Sequence, residues 1–172
     1  MIDTRILNII HKLIETHSLT CEEYQTLLDH RNEEIAGYLQ EKAVQVRKEI
    51  YGNQVYTRGL IEISNICKND CLYCGIRASN SKCQRYRLTK EEILACVEQG
   101  VQLGFKTIVL QGGEDPYYSD EVLVDIVKTI RSLYPDIAIT LSLGQRSHDS
   151  YQALFDARAN RYLLRHETAD EI

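Results

Sequence analysis

Arg58 to Gly75 reads Arg-Gly-Leu-Ile-Glu-Ile-Ser-Asn-Ile-Cys-Lys-Asn-Asp-Cys-Leu-Tyr-Cys-Gly. Its first half alternates as a strand does, from about Gly59 to Ser64, and its second half carries Cys67, Cys71 and Cys74 in C-x3-C-x2-C spacing. Three thiolates within eight residues of loop can wrap one corner of an iron–sulfur cluster. In a four-iron cluster that leaves one iron open, and an open iron is a binding site. Two blander readings use the same thiols. With Cys83 they make a four-thiolate zinc site, or they ligate a fully coordinated ferredoxin-like cluster. On the cysteines alone, zinc and cluster are evenly matched.

Working outward, the chain after Val55 alternates strand, loop and helix. Thr89 with Glu92 caps a helix whose Ile93, Val97 and Val101 share a face, stopped by Gly104, with Cys96 expected near that face as a small core residue. Thr107–Gln111 is a nearly all-apolar strand, as one buried on both faces should be. Ser119 opens a helix with Val122, Leu123, Ile126, Val127 and Ile130 at core spacing, stopped by Pro135. Ile137–Leu143 is a third strand, Ser147 opens another helix, and Arg161–Arg165 is a fourth strand. This rhythm predicts an α/β fold with a parallel sheet, a partial TIM-type (β/α) barrel of about four units. In such barrels the chemistry sits at the C-terminal strand ends. One rim then gathers the cysteine loop, Gly112-Gly113-Glu114-Asp115, Ser142 to Arg146, and His166-Glu167-Thr168. A zinc ribbon would not need that convergence, which favours the cluster.

Residues 1–53 read as a helical extension and 54–172 as the barrel portion. Ile6, Ile9, Ile10 and Leu13 fall on one face of a first helix, Thr20 and Glu23 form a capping box for a short second one, and a third runs from about Asn32 to Ile50, ending at Gly52. His11, His17 and His30 read as surface residues, and Cys21 as a helix-start residue without a partner. The formal charge of −5, with both signs interspersed, argues against a nucleic-acid surface. No run reaches membrane-spanning length and no signal peptide opens the chain, so clustered thiols point to metal binding in the cytoplasm rather than disulfides.

The cysteine spacing, with Tyr73 just before the last thiol, resembles the signature of the radical S-adenosylmethionine (SAM) superfamily. Within it, Leu-Tyr-Cys-Gly-Ile-Arg, Val-Leu-Gln-Gly-Gly-Glu-Asp-Pro, Ile-Thr-Leu-Ser-Leu-Gly and Arg-Tyr-Leu-Leu-Arg-His-Glu-Thr-Ala are similar to the HydE family of FeFe-hydrogenase maturases, in the biotin-synthase-like branch. The resemblance runs through most of residues 30–170. It implies a 4Fe-4S cluster on Cys67, Cys71 and Cys74 whose open iron chelates SAM, and reductive cleavage of SAM to a 5′-deoxyadenosyl radical. It implies that Gly112, Gly113 and Glu114 contact the methionyl amino group, the glycines allowing the ligand close to the main chain. Arg165 and Glu167 would take the methionyl carboxylate and ribose hydroxyls. Ser142 and Arg146 are lesser cofactor contacts, and Tyr73 would offer its backbone to the adenine with its ring packed in the loop. By residue type alone, the glycines also suit a tight turn and the charged pair a strand-end salt bridge. Asn80, Arg85, Tyr86 and Arg87 either close the substrate side or anchor the cysteine loop.

The implied role is assembly of the hydrogenase diiron subcluster. The partners would be a small-molecule or organometallic substrate, a reducing electron donor and other hydrogenase maturation proteins. The alternatives are a methylornithine-synthase-like or biotin-synthase-like enzyme, or a non-catalytic metal-binding half-barrel remnant. Two departures stand out. Arg158-Ala159-Asn160 occupies a helix end where glycine is expected, at a small cost in stability. The chain also stops after its fourth strand, whereas a closed barrel needs about 200 residues or more. A half barrel has open edges, which calls for self-association or a complementary half-barrel chain.

Overall fold

The computed structural model describes residues 2–166, so Glu167 and Thr168 lie outside the described residues. The chain forms two compact units that part between Val55 and Tyr56. In the first, each helix begins on a side-chain cap that satisfies an otherwise orphaned N–H. Asp3 caps α1 (Thr4–Thr16), Thr20 and Glu23 form a reciprocal capping box on α2 (Cys21–Asp29), and Asn32 caps α3 (Glu33–Tyr51). Ile6, Ile9 and Ile10 of α1 pack with Leu27 and Ile35 in a small core. The histidines of this unit are exposed.

The second unit is α/β. Strands β1 (Gly59–Ser64), β2 (Thr107–Gly112), β3 (Ala138–Ser142) and β4 (Arg161–Tyr162) pair in parallel in chain order. Helices α4 (Lys90–Gln102), α5 (Asp120–Leu133) and α6 (His148–Asp156) connect them. Alternation divides the sheet. Ile61, Ile63, Ile108, Leu110, Ile139 and Leu141 form one core with Ile93, Val97, Leu123, Ile126 and Ile130 of the helices. Each such aliphatic side chain contributes roughly 1.5–3 kcal/mol on burial. Among the described residues, no helix is long and apolar enough to cross a membrane.

Two expectations are corrected. The fourth strand is Arg161–Tyr162, not Arg161–Arg165. Leu163 N–H still reaches the Leu141 carbonyl at 2.8 Å, but β3 ends at Ser142 and turns through Gly144 (φ 75°), so the ladder runs out of partners. Cys96 is exposed rather than core. The buried stripe of α4 runs through Ile93, Val97 and Gly100, and Cys96 lies one helical step to its side.

Where glycine was expected after α6, Arg158 adopts φ 71°. Its N–H bonds to the Phe155 carbonyl at 2.8 Å, and its own carbonyl accepts from Arg131 at 3.0 Å, so the backbone is held there although its Cβ disfavours it. Since the retained contact uses main-chain oxygen, Arg158→Gly should raise unfolding free energy by roughly 0.5–1 kcal/mol. Urea denaturation of the two proteins checks the sign.

Candidate functional site

The cysteine loop leaves the end of β1, and buried polar groups hold both of its ends. Asp115, just beyond β2, has a side chain with no solvent exposure. Its carboxylate accepts two bonds from Arg87, each 2.7 Å, one from the Ser64 hydroxyl at 2.7 Å and one from the Tyr117 N–H at 3.1 Å. The Arg87 guanidinium also lies 4.4 Å from the Tyr117 ring centroid. Burial alone would push the Asp115 carboxyl up, but the bonds from Arg87, Ser64 and Tyr117 outweigh it and hold it below the usual carboxylate range. Arg87 is correspondingly raised, chiefly by its bonds to Asp115. The Tyr118 hydroxyl lies 2.7 Å from the Leu88 carbonyl and 3.0 Å from that of Ile63, and burial, reinforced by the Asp115 charge, pushes it up to about 12. Leu88 N–H donates to the Ile63 carbonyl at 2.8 Å. Residues 86–88 thus strap the end of β1 to the end of β2.

Arg85 organises the loop interior. Its guanidinium donates to the carbonyls of Asn65, Ile76, Arg77 and Asn80 at 2.6–3.2 Å. Asn80 in turn donates to the Gly75 carbonyl, and the Asp70 carboxylate accepts from Ser79 N–H. Asn80, Arg85 and Arg87 therefore anchor the loop, as does Tyr86, whose hydroxyl donates to the Glu62 carbonyl at 2.9 Å. Cys83 is half-buried, with its sulfur 3.6 Å from the Asn65 amide nitrogen.

The glycines answer to the chain itself. A Cβ on Gly113 would stand 2.2 Å from the Ile66 carbonyl oxygen and 2.8 Å from Cys67 Cβ; one on Gly112 would stand 2.9 Å from the Ser64 carbonyl oxygen. The chain itself already fills the space a side chain would need at both positions. Gly144, at positive φ, leaves room for the Glu114 side chain in the same way. Glu114 accepts from Gln145 N–H at 3.2 Å and pairs with Lys68 at 3.2 Å.

An open cavity of about 430 Å³ is bordered by Cys67, Cys71, Cys74, Tyr73, Gly112, Gly113, Glu114, Ser142 and Arg165. Arg146 is not among its lining residues. Its guanidinium turns to Asp120 (2.8 Å) and the Tyr118 carbonyl (2.8 Å), against the start of α5. Tyr73 is 70% exposed, so its ring is not packed inside the loop; the turn closed by Cys74 N–H on the Cys71 carbonyl throws Leu72 and Tyr73 outward. Sequence reasoning did not single out Lys68, Gly144, Gln145, Glu62 or Gln111. All but Lys68 border the cavity, and the only trace of Glu62 and Gln111 in sequence is a polar residue among aliphatic strand neighbours.

All three thiols are free and at least partly accessible. Among the described residues no three His, Cys, Asp or Glu side chains converge as ligands of one metal ion. A cluster distributes its ligands over several irons, and soft thiolates with close-approaching glycine backbone fit that donor set.

The model of the radical SAM superfamily matches residues 61–172. The chain belongs to this superfamily. It is 48% identical over 130 residues to the [FeFe] hydrogenase maturase subunit HydE of Thermotoga maritima, covering 76% of this chain and 37% of that protein. It is 32% identical over 162 residues to the 3-methylornithine synthase of Methanosarcina acetivorans, covering 93% and 46%. The crystal structure of HydG, a maturase of the [FeFe]-hydrogenase, superposes with a TM-score of 0.82 at 30% identity, covering 95% of this chain and 37% of that one. The four strands and their helices match part of the superfamily's barrel. The chain spans less than half the length of each of these relatives.

Two predictions come from the anchors. Asp115→Asn removes a buried carboxylate whose Arg87 partner is partly exposed, and should cost roughly 1–3 kcal/mol at neutral pH. The wild-type carboxylate is held low, so its contribution is complete above about pH 4 and falls away as pH drops through the lowered native value. Chemical denaturation from pH 6 to 3 should therefore show a steeper acid loss in the wild type than in Asp115→Asn. Arg85→Lys keeps the charge but not the planar fork. Hydrogen exchange should then show amides of residues 66–80 opening about tenfold faster or more, with the strand amides of β2 and β3 little changed.

Proposed function

We propose that this chain carries the cluster- and SAM-binding portion of a radical SAM enzyme of FeFe-hydrogenase maturation. The observation that carries the reading is the single cavity shared by the three thiols and Gly112-Gly113-Glu114. Cys67, Cys71 and Cys74 would hold a 4Fe-4S cluster and leave one iron to the cofactor. When bound, the reduced cluster would cleave SAM to a 5′-deoxyadenosyl radical. The chain's own work is placement. Gly112 and Gly113 bring main chain beside the thiols, and Glu114, oriented by Gln145 N–H, offers a carboxylate to the methionyl ammonium. Arg165 suits the methionyl carboxylate, Ser142 and the Tyr73 backbone complete the cofactor's surroundings, and Glu167 would take the ribose hydroxyls.

The substrate would be a small or organometallic molecule, the electron donor a reducing protein, and the other partners further maturation proteins or a complementary half-barrel chain. The 48% identity to HydE supports the maturation assignment. A methylornithine-synthase-like activity is the second reading, favoured by the longer stretch of chain over which that relative aligns. Electron paramagnetic resonance of the anaerobically reconstituted, reduced protein tests the proposal. A cluster signal that changes on adding SAM is expected. A colourless zinc protein would overturn the cluster, and a cluster signal indifferent to SAM would reduce the chain to a non-catalytic metal-binding remnant.

A further inference from the structure

The face of the sheet turned away from the helices carries polar residues at one level. Glu62 on β1 stands in register with Gln111 on β2, and Gln111 with Ser142 on β3. All three border the cavity that holds the cysteines. The strand neighbours on either side of this row, Ile61, Ile63, Leu110 and Leu141, are buried in the helix-side core. One level lower on the same face, the Thr140 hydroxyl is buried without a partner among the described residues. In this row Ser142 is buried, Gln111 half-buried and Glu62 exposed, so the carboxylate is reachable from the cavity.

Glu62 and Gln111 make one bond to each other, Gln111 Nε2 donating to Glu62 Oε1 at 2.6 Å. An ionised carboxylate only accepts, so the amide must present its nitrogen and turn its own oxygen away. Among the described residues, Glu62 Oε2 and Gln111 Oε1 have no further hydrogen bond. The pair therefore offers two acceptors, one of them charged, with the second Nε2 hydrogen of Gln111 as its one spare donor. That combination suits an ammonium, which brings positive charge and three donors. It does not suit a carboxylate or phosphate.

We propose that Glu62 and Gln111 form the binding site for an ammonium group of the substrate, making that substrate a primary amine. This rests on the radical SAM reading only in calling the ligand a substrate. In position, the pair sits below the cysteine loop, one strand residue before Gly112 and two before Ser64. The glycines and Glu114 serve the thiol side of the cavity, and the Glu62–Gln111 pair serves the sheet floor.

Ligand-observed NMR on the reconstituted, oxidised chain tests the site with n-butylammonium, n-butanol and n-butyrate as probes. The ammonium should bind in preference to both of the others. Glu62→Gln, which keeps shape and removes charge, should weaken it by roughly tenfold or more. Gln111→Leu should weaken it while leaving the carboxylate, and so should give a smaller loss. Circular dichroism melts confirm that each variant is folded. Equal binding of the three probes, or an unchanged affinity in folded Glu62→Gln, would overturn the proposal and leave the pair as a structural cross-strand bond. The fate of the enzymatic reading is read separately. Ammonium selectivity in a chain whose cluster ignores SAM upholds this site and removes only the word substrate; a SAM response without ammonium selectivity does the reverse.

Discussion

The buried carboxylate of Asp115 is the point on which the site depends. It receives a guanidinium, a hydroxyl and a backbone amide from three separated stretches of chain, and each of these fixes something the cysteines need. Ser64 sets where β1 stops. Arg87 fixes where the loop returns. Asp115 itself fixes the exit from β2, directly after the paired glycines. A charge with no solvent exposure is tolerable only because every one of these partners is in place. The geometry of the thiol-bearing loop is thus inherited from a rigid polar knot behind it.

Arg85 extends that rigidity forward. Loops near a metal site lack the repeating hydrogen bonds of helix or sheet, so their carbonyls need other donors. A planar guanidinium can serve several at once, and here it serves four. At the opposite end of the strands, Arg131 does comparable work, donating to the carbonyls of Pro135, Ile137 and Arg158 and to the Asn160 side chain. The sheet is held at both ends by cations whose partners are mostly backbone oxygen.

That choice of partner explains what could and could not be read from sequence. The strands β1, β2 and β3 and helices α4 and α5 announce themselves, because aliphatic periodicity and capping residues are local signals. Composition over-extends the fourth strand because Tyr162-Leu163-Leu164 is strand-like, whereas its length is set by where β3 bends away. Gly112 and Gly113 are close-approach positions by residue type, and the chain itself makes an approach to each, through the Ser64 carbonyl at Gly112 and the Ile66 carbonyl at Gly113. Arg85 and Arg87 were visible as charged residues beside the loop, but acceptors on the backbone leave no sequence pattern. Arg146, expected as a lesser cofactor contact on the rim, faces Asp120 instead. Glu62 and Gln111 meet across 49 positions, and neither is unusual alone.

The 51 positions separating Ser64 from Asp115 also set an order of events during translation. The three thiols leave the ribosome well before the carboxylate that fixes the base of their loop. Through that interval the loop has neither its polar knot nor the glycine surface against which Cys67 packs. The nascent thiols are then ordinary accessible cysteines, open to oxidation or to whatever soft metal is at hand. Connectivity alone delays the finished cysteine loop until the chain has been made through Asp115.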